Sequence, residues 1–379
     1  MLHLLYSRTI HRIVSIHHML AMGEVVLLSA VFRVIKENLP HATLSIVAGK
    51  YACEFLKFIP CIDNVFPIER FGIFMGKTSK AKRLLHRPFI VPVFSGFLKR
   101  GKFDCVFIRD DERLPYTSLI RSAVERSGIR EVVVLRPLMQ KHLNSSRHVV
   151  EGYLSILEEL GFKVKGDERP VLSPDGDGKN NIKDLLNKHG ISKDTHRIIG
   201  LCPTSRMKIK EWDTEKVSQF CDMIGKDNST RIILFSTSKE YVERVLESVK
   251  SPPVVIGYLP FGDLLSLTSQ CDLFISVDTG PMHVAAALGI PVIGLFGPTS
   301  GKMFGPYGKN CMVIQHTTDC PYYRPDSFFS PDEKAFQLCY LKDSCQIMKK
   351  TCVDMISPEE VCNAADNFLT GKTGAGLLY

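Results

Sequence analysis

The chain has 379 residues, of which 45% are hydrophobic and 23% are charged. This length exceeds what one hydrophobic core usually serves, so two domains are expected, and the composition is that of an ordinary globular protein. No apolar run reaches the roughly 20 residues that a membrane-spanning helix needs, and residues 1–20 fit a signal peptide poorly. The sequence therefore predicts a cytoplasmic protein.

Short apolar runs alternate with helical patterns in the first half of the chain. Strands are predicted at residues 12–16, 43–47, 64–68, 104–108 and 131–135. Between them, apolar residues repeat at helical spacing, as they do from Ala30 to Leu39. This alternation predicts a parallel sheet with helices on both faces.

Charged residues follow the strand that is predicted to end at Ile108. Ligand contacts in α/β sheets lie at the carboxyl ends of the strands, which is where Arg109 is placed. Arg113 and Arg121, a little further along the chain, are candidates for binding an anionic acceptor. Exposed positions on a helix explain these two arginines nearly as well.

The net charge of +8 is concentrated in residues 71–103, which contain eight lysines and arginines and no acidic residue. Aromatic and aliphatic side chains are interleaved with these cations. The pattern favours a surface that binds anionic lipid headgroups or a phosphorylated acceptor. No nucleic-acid-binding motif accompanies it, so nucleic acid is not expected as a partner. A solvated, lysine-rich loop is the alternative.

A turn-rich polar stretch at residues 163–181 has the composition of a linker. After it, further strands are predicted at residues 197–201, 231–235, 254–256, 273–277 and 292–296. Two α/β domains are therefore expected, at residues 1–165 and 178–356. A helix with Ser357 as its N-cap follows them and extends to residue 370.

The stretch around Asp278 predicts a strand, a tight turn and a helix. Asp278 and Thr279 are residue types that cap helices, and Pro281 suits the first helical position. The unpaired N–H groups and the positive dipole end of such a helix form an anion site that suits a diphosphate. Gly280 lets a phosphate approach the backbone, and His283 on the first turn can point to the same place. An ordinary capped turn is the alternative.

The chain contains twelve cysteines without an apparent disulfide framework. Cys320, Cys339, Cys345 and Cys352 could in principle bind zinc. Their spacings of 18, 5 and 6 intervening residues differ from the paired C-x₂-C pattern of structural zinc sites. Buried or loosely packed thiols are therefore the favoured interpretation, and no metal or cofactor is predicted.

The string SVDTGPMHVAAALGIPVIGLFGPTSGKMFGPYG at residues 276–308 resembles the donor site of the bacterial ADP-heptose:lipopolysaccharide heptosyltransferases. In that family a D-T-G-x-x-H turn precedes a G-x-P…FGPT strand and loop. A lysine two residues before a tryptophan also matches, as Lys210 and Trp212, after a hydroxyl-rich loop. The loop here is one residue longer, so Lys208 competes with Lys210.

The resemblance implies a donor site built from the second domain. Lys210 stabilises the charge of a departing nucleoside diphosphate, and the Asp278 turn with its helix does so from the other side. Glu240 contacts the donor nucleoside and Leu259 frames the adenine, although an apolar residue there is equally a core position. The donor-binding residues implied in this way are Thr204, Ser205, Lys210, Glu240, Leu259, Asp278, Thr279, Gly280 and His283.

The resemblance also implies a catalytic base. The first strand of the family leads to Gly-Asp at the start of a helix, and this carboxylate acts as general base on the acceptor hydroxyl. Gly23 and Glu24 occupy these positions here, so the longer acid stands in place of aspartate. A glutamate that the helix dipole favours in a first turn is the alternative explanation.

The fold implied is GT-B, in which two doubly wound Rossmann-like domains face a central cleft and the final helix, residues 357–370, packs back on the first domain. The activity implied is an inverting, metal-independent transfer of heptose from ADP-L-glycero-D-manno-heptose to a Kdo or heptose of the lipopolysaccharide core. Such an enzyme needs no cofactor and works at the inner face of the inner membrane. A same-fold transferase for another nucleotide sugar, a non-catalytic nucleotide-binding relative and a nucleotide-sugar epimerase are the alternatives.

Overall fold

The computed structural model describes residues 10–17, 20–74, 80–109, 116–143, 147–174, 178–316, 320–324 and 338–371. The chain divides into two compact units. The first comprises Met1–Leu143 and Val150–Val171, and the second comprises Asn144–Val149 and Leu172–Tyr379. Residues 144–149 thus belong with the second unit, although they come before the stretch that the sequence predicts to be a linker.

The first unit is built on a five-stranded parallel sheet with the order β3-β2-β1-β4-β5. Its strands are β1 Arg12–His17, β2 Thr43–Ala48, β3 Asn64–Pro67, β4 Cys105–Ile108 and β5 Glu131–Val134. Its helices are α1 Met22–Asn38, α2 Lys50–Leu56, α3 Lys80–Gly101, α4 Thr117–Ser127, α5 Leu135–His142 and α6 Val149–Glu159. The central strand β1 is buried from its second residue onward, as expected for a parallel sheet that helices cover.

Aromatic side chains anchor α3 in the first core. Phe94 of this helix stacks on Phe71 with ring centroids 4.6 Å apart, and Phe97 lies 5.0 Å from Phe66. Ile90, Phe94 and Leu98 are fully buried, so one side of the helix faces the core. The other side of the helix faces solvent.

The second unit is built on a six-stranded parallel sheet with the order β11-β10-β9-β6-β7-β8. Its strands are β6 Arg197–Cys202, β7 Thr230–Phe235, β8 Val254–Ile256, β9 Leu273–Val277, β10 Val292–Phe296 and β11 Cys311–Gln315. Its helices are α7 Gly178–Lys188, α8 Thr214–Ile224, α9 Lys239–Ser248, α10 Phe261–Thr268, α11 Gly280–Ala287, α12 Gly301–Phe304, α13 Leu338–Lys342 and α14 Pro358–Leu369. The predicted α/β class with parallel sheets is confirmed. The edge strand β11 was not predicted, because its side chains are only partly buried and give a weak apolar signal.

Each sheet has one topological switch point. In the first sheet it lies between β1 and β4, and in the second it lies between β6 and β9. The chain leaves two such neighbouring strands in opposite directions, which opens a crevice at their carboxyl ends where α/β proteins bind ligands. The loops that follow these four strands are therefore the positions at which the fold offers binding sites.

The C-terminal helix α14 packs in the core of the second unit. Val361 and Ala365 are fully buried there, in one cluster with strands β6, β9 and β10. Trp212 ties the start of the helix to the same core, because its Nε1 donates a hydrogen bond of 3.2 Å to the carbonyl of Ile356. The predicted contact of this helix with the first domain stays a prediction, and its burial in the second core was not predicted. An amphipathic pattern states that one face is buried, not which core buries it.

Within the described residues, no helix combines the length and the apolar character that crossing a membrane demands.

Candidate functional site

Three loops of the second unit meet on the carboxylate of Asp278, directly after β9. Its Oδ2 accepts a hydrogen bond from Lys210 Nζ at 2.6 Å and another from Thr299 Oγ1 at 2.6 Å. Lys210 lies in the loop after β6, and Thr299 lies in the loop after β10. The carboxyl ends of three adjacent strands are thereby joined at the switch point of the sheet.

Local structure fixes the position of Lys210. It ends a short 3₁₀ helix, Lys208–Lys210, in which Ile209 is buried, and Trp212 behind it is fully buried. The Asp343 carboxylate accepts hydrogen bonds from the backbone N–H groups of Lys208 at 3.1 Å and Ile209 at 2.9 Å. The turn is therefore held both by packing and by a side-chain cap.

The Lys210–Asp278 pair is charged. Both side chains are only 12% exposed. Burial by itself lowers the pKa of Lys210, yet the adjacent Asp278 carboxylate and Tyr340 leave it raised above its ordinary value. Burial by itself raises the pKa of Asp278, yet the Lys210 ammonium and the hydrogen bonds from Lys210 and Thr299 leave it lowered. The Tyr340 ring, 5.2 Å from Nζ, adds a cation–π contact.

The helix α11 begins beside this pair. Thr279 is its N-cap residue in an extended conformation, and Pro281 lies in its first turn. The Thr279 side chain accepts no capping hydrogen bond, so it does not satisfy the N–H groups that an α-helix leaves unpaired at its start. With Gly280 adding no side chain, the turn has the donors and the dipole that bind anions.

His283 on the first turn of α11 is a neutral side chain. It is 6% exposed, and its Nδ1 has no hydrogen-bond partner within the part of the chain that the structure describes. Burial lowers its pKa to about 4, with Lys210 lowering it further and Asp278 opposing both. A buried, uncharged imidazole can donate or accept one hydrogen bond without adding charge beside a phosphate.

A second buried histidine supports the same region. His148 Nε2 contacts the carbonyl of Gly305 at 3.0 Å, and its ring stacks on Tyr307 at 4.5 Å. Burial lowers its pKa to about 3, and the neighbouring His283 contributes to this. His148 has no functional signal in the sequence, where it marks only the start of a predicted helix.

The remaining donor candidates lie at the carboxyl ends of β6, β7 and β8. Thr204 Oγ1 donates a hydrogen bond of 3.2 Å to Ser236 Oγ and so links the loops after β6 and β7. The Ser205 hydroxyl accepts from the backbone of Met207 at 3.4 Å, within its own loop. Glu240 is exposed in the first turn of α9 and pairs with Arg244 one turn later, while half-buried Leu259 follows β8.

In the first unit, Glu24 and Arg109 meet at the switch point between β1 and β4. Arg109 Nη1 lies 3.1 Å from Glu24 Oε1, and Glu24 Oε2 accepts a hydrogen bond of 3.0 Å from the backbone of Ala21. Glu24 thus caps α1 and pairs with the residue that directly follows the neighbouring strand β4. Tyr153 lies beside them: burial raises its pKa to about 12, with smaller opposing effects from Arg109 and Glu24.

The other acceptor candidates are less informative. Gly23 lies in the first turn of α1 next to Glu24, and Arg121 is exposed on α4. Arg113 lies outside the described residues. A small, mostly apolar pocket adjoins Arg109, and it is lined by Ser15, His17, Leu28, Val31, Phe32, Ile35, Phe107, Arg109, Leu135, Met139, Tyr153, Ile156 and Leu157.

The basic segment 71–103 forms most of α3. On the solvent side of this helix, Phe89 is 61% exposed and Val93, one turn later, is 44% exposed. Arg87 and Arg100 are exposed on the same helix. The side chains of residues 75–85, which include four of the eight cations, lie outside the described part of the chain.

Comparisons with known proteins place the chain among glycosyltransferases. The family model for glycosyltransferase family 9 (heptosyltransferase) matches residues 122–324. Lipopolysaccharide heptosyltransferase 3 of Escherichia coli K12 is 27% identical over 305 residues, which cover 77% of this chain and 84% of that protein. Lipopolysaccharide heptosyltransferase 2 of Salmonella typhimurium is 21% identical over 311 residues, which cover 78% of this chain and 86% of that protein.

Solved structures agree with this result at the level of fold. The family 9 glycosyl transferase of Veillonella parvula has a TM-score of 0.73 and 22% identity, and the match covers 95% of this chain and 98% of that one. The ADP-heptose lipopolysaccharide heptosyltransferase II of E. coli has a TM-score of 0.67 and 17% identity, with coverage of 95% and 99%.

Proposed function

Since this chain belongs to glycosyltransferase family 9, the heptosyltransferases, and is a glycosyltransferase, we propose that it moves heptose from ADP-L-glycero-D-manno-heptose to an inner-core sugar of lipopolysaccharide. The observation that carries the proposal is the buried Lys210 ammonium, held by Asp278 beside the start of α11. A fixed cation and a helix N-terminus are the two groups that a departing ADP requires. The names of the similar heptosyltransferases support lipopolysaccharide as the acceptor class.

In this proposal the second unit binds the donor. Lys210 has three N–H donors, and Asp278 uses one of them, so the ammonium can also donate to a phosphate oxygen. Thr279, Gly280 and the N–H groups of α11 contact the diphosphate from the other side. His283 adds a neutral hydrogen-bonding group to the same anion.

The loops after β6, β7 and β8 bind the nucleoside. Thr204 and Ser205 contribute hydroxyls beside the diphosphate, and the half-buried Leu259 provides an apolar contact for adenine. Glu240 forms hydrogen bonds to the ribose hydroxyls after giving up its exposed partner Arg244. Loss of the Arg244 ion pair costs little free energy, because an exposed ion pair contributes about 0.2–1 kcal/mol.

The first unit supplies the base. Glu24 accepts the proton of the acceptor hydroxyl while that oxygen forms its bond to the anomeric carbon of heptose. The bond from the anomeric carbon to the ADP oxygen breaks in the same step, and its electron pair leaves with the diphosphate. A single displacement inverts the anomeric configuration and needs one base. Gly23, Arg109, Arg113 and Arg121 are the residues that we assign to the anionic acceptor.

No catalytic metal enters this scheme, since Lys210 and the start of α11 provide the positive charge that a metal ion would otherwise supply to the diphosphate. Arg109 has a second effect, because it pairs with Glu24 and orients the longer acid. Removing Arg109 therefore affects both acceptor binding and the position of the base.

We also propose that α3 contacts the anionic inner face of the inner membrane, where a lipid-linked acceptor is held. Exposed Phe89 and Val93 form an apolar face, and the cations of residues 71–103 attract acidic headgroups. The protein then works in the cytoplasm at the membrane surface, without nucleic acid as a partner.

Product analysis tests the proposed reaction. The purified enzyme is incubated with ADP-heptose and a lipid-linked Kdo acceptor, and the product is characterised by mass spectrometry and by the anomeric coupling in its NMR spectrum. We expect one added heptose of inverted configuration, also in the presence of EDTA. Transfer from a UDP- or GDP-sugar but not from ADP-heptose would replace the proposed donor and keep the enzyme class.

A further inference from the structure

Gln315 is the last residue of β11 and has no part in the transfer scheme given above. Among the described residues its side-chain amide forms three hydrogen bonds, and all of them go to the loop that follows β10. Nε2 donates to the carbonyls of Gly297 at 2.9 Å and Thr299 at 2.6 Å, and Oε1 accepts from the N–H of Gly301 at 3.0 Å. Both N–H groups of the amide are therefore in use.

The loop of residues 297–301 needs these partners because it has left the sheet while it is still buried. The strands β10 and β11 pair in register as far as Phe296 and Gln315, where both of them end. Residues 297–301 are nevertheless all buried. Buried carbonyl and N–H groups without a partner destabilise a fold. The Gln315 amide takes the place of a further peptide group of β11 and pairs three of them.

Glycine at both ends of this loop allows the close packing. A Cβ added to Gly301 would lie 3.2 Å from Gln315 Oε1 and 2.3 Å from a methyl carbon of Val313. A Cβ added to Gly297 would lie 2.4 Å from a methyl carbon of Val353, which is fully buried. The amide thus reaches the loop through space that a larger residue at position 301 would occupy.

The loop that Gln315 holds also carries Thr299, which is 1% exposed. The Thr299 hydroxyl donates to Asp278 Oδ2 at 2.6 Å, and the same oxygen accepts from Lys210 Nζ at 2.6 Å. Gln315 binds the carbonyl of Thr299, so this residue is held at its main chain by the amide and at its side chain by the carboxylate. A continuous chain of hydrogen bonds thus connects Gln315 to Lys210.

We propose that Gln315 is a positioning residue, which fixes residues 297–301 so that the Thr299 hydroxyl orients the Asp278 carboxylate toward Lys210. The effect on turnover rests on the proposed function, in which the Lys210 ammonium stabilises the departing diphosphate. A carboxylate can rotate about its last bond, and two donors from different loops give its oxygen a defined place. Displacement of such a group by about 1 Å can slow a reaction by about 10²-fold.

The amide group is essential to this role, and side-chain volume alone does not provide it. Methionine has nearly the length of glutamine but has neither the two N–H donors nor the carbonyl acceptor. An ionised glutamate keeps the acceptor for Gly301 and has no donor for the two carbonyls. Gln315→Met and Gln315→Glu therefore both remove the support of the Thr299 carbonyl.

Hydrogen–deuterium exchange of the full-length protein, measured without substrate, tests the structural part. Gln315→Met should speed exchange in residues 297–301 and also in residues 278–287, to which the Gln315 side chain makes no hydrogen bond within the described structure. Thr299→Val should speed exchange in residues 278–287 as well. The double variant should stay within about twofold of Thr299→Val there, because both changes remove the same support.

Kinetics of transfer from ADP-heptose test the functional part. Gln315→Met should lower kcat by up to about 10²-fold and change the KM for the donor much less, since the lost interaction acts on the departing charge. The double variant with Thr299→Val should be within about twofold of the slower single variant. Thr299→Ser keeps the hydroxyl and should retain turnover.

A matched control and a milder variant accompany these measurements. Gln270 is a half-buried glutamine of the second unit whose amide donates to the adjacent Ser269 at 3.2 Å, and Gln270→Met should leave exchange in residues 278–287 and kcat unchanged. Where Gln315→Met does not fold, Gln315→Asn keeps the amide on a shorter side chain. It should shift exchange and kcat in the same direction by a smaller factor.

The outcomes separate this proposal from the proposed function. Faster exchange confined to residues 297–301, or effects on kcat that multiply in the double variant, would make Gln315 a local structural residue and refute the positioning role. Equal kcat in the wild type and Gln315→Met would refute it as well, while leaving the transfer reaction intact. A wild type that does not use ADP-heptose would refute the donor, and the exchange measurements would still decide the role of Gln315.

Discussion

Lys210 Nζ lies 2.6 Å from Asp278 Oδ2, although 68 positions separate the two residues in sequence. The pair forms because β6 and β9 are neighbours at the switch point of the sheet, so that the loops after them converge. Thr299 adds a hydrogen bond from the next loop. A cation held in this way loses little freedom when it meets a diphosphate, which is the basis of electrostatic preorganisation.

Replacement of Asp278 by asparagine should destabilise the second unit. The change leaves the buried Lys210 ammonium without its counter-ion, and breaking one side of a buried pair costs about 3–5 kcal/mol. Urea unfolding measures this loss. The double variant Lys210→Met with Asp278→Asn should be more stable than Asp278→Asn alone, because the unpaired charge is then absent. A loss below about 1 kcal/mol for Asp278→Asn would show that the two charges are not buried together.

The protein should lose stability as pH falls below neutrality. Burial lowers the pKa of His283 from 6.5 to about 4 and that of His148 to about 3. At mildly acidic pH the unfolded chain therefore binds more protons than the folded chain. The stabilisation is complete above pH 6.5 and is lost progressively as pH falls toward these lower values. At pH 5 the lowered pKa of each histidine should reduce the free energy of unfolding by about 2 kcal/mol relative to its value above neutrality.

Urea midpoints at pH 7.5 and pH 5 check this pH dependence. His283→Asn should reduce the difference in unfolding free energy between the two pH values. His189→Asn, at an exposed histidine after α7, should leave that difference unchanged. Equal pH dependence in the wild type and His283→Asn would contradict the burial of a neutral imidazole at this position.

Glu24→Gln should lower turnover by about 10²–10⁴-fold, which is the usual contribution of a general base. ADP should bind with unchanged affinity, because the residues that we propose to bind the donor lie in the second unit. Glu37→Gln, at the other end of α1, is the matched control and should keep full turnover. Turnover of Glu24→Gln within a factor of three of the wild type would remove Glu24 from the mechanism.

The double variant Phe89→Ser and Val93→Ser should bind less to vesicles that contain an anionic phospholipid. Both side chains are exposed on α3, so the change removes apolar contact without touching the core. Co-sedimentation with anionic and zwitterionic vesicles measures the effect. Leu246→Ser, at an exposed leucine of α9, controls for general loss of hydrophobic surface. Equal sedimentation of the double variant and the wild type would locate membrane contact elsewhere.

Much of the fold could be predicted because its signals are local. The apolar run of β9 and the cap and proline residues after it predict a strand, a turn and a helix, and the structure has β9 at Leu273–Val277 and α11 at Gly280–Ala287. The packing of α14 could not be predicted, since periodicity identifies a buried face and not its partner. Thr299 lies within residues 276–308, which resemble the family's donor site. Its hydrogen bond to Asp278 depends on tertiary structure and was therefore not predicted.

The contacts of Tyr340 and Asp343 had no sequence signal. They lie in a segment with little helical or strand periodicity, more than a hundred residues after the Lys210 loop. The pairing of Glu24 with Arg109 was hidden for a similar reason, because it requires β1 and β4 to be adjacent in the sheet. Long-range strand order is the information that local patterns omit.

Acceptor-dependent release of ADP from ADP-heptose, compared between Lys210→Ala and Lys208→Ala, tests the central claim most directly. Lys208 is an exposed neighbour in the same turn, so it controls for charge and for disturbance of the loop. We predict that the wild type and Lys208→Ala release ADP only when a lipid-linked Kdo acceptor is present, and that Lys210→Ala is slower by about 10²–10³-fold. Equal rates of ADP release in the two variants, or a rate that does not depend on the acceptor, would contradict the assignment of Lys210 to the leaving group of a heptosyl transfer.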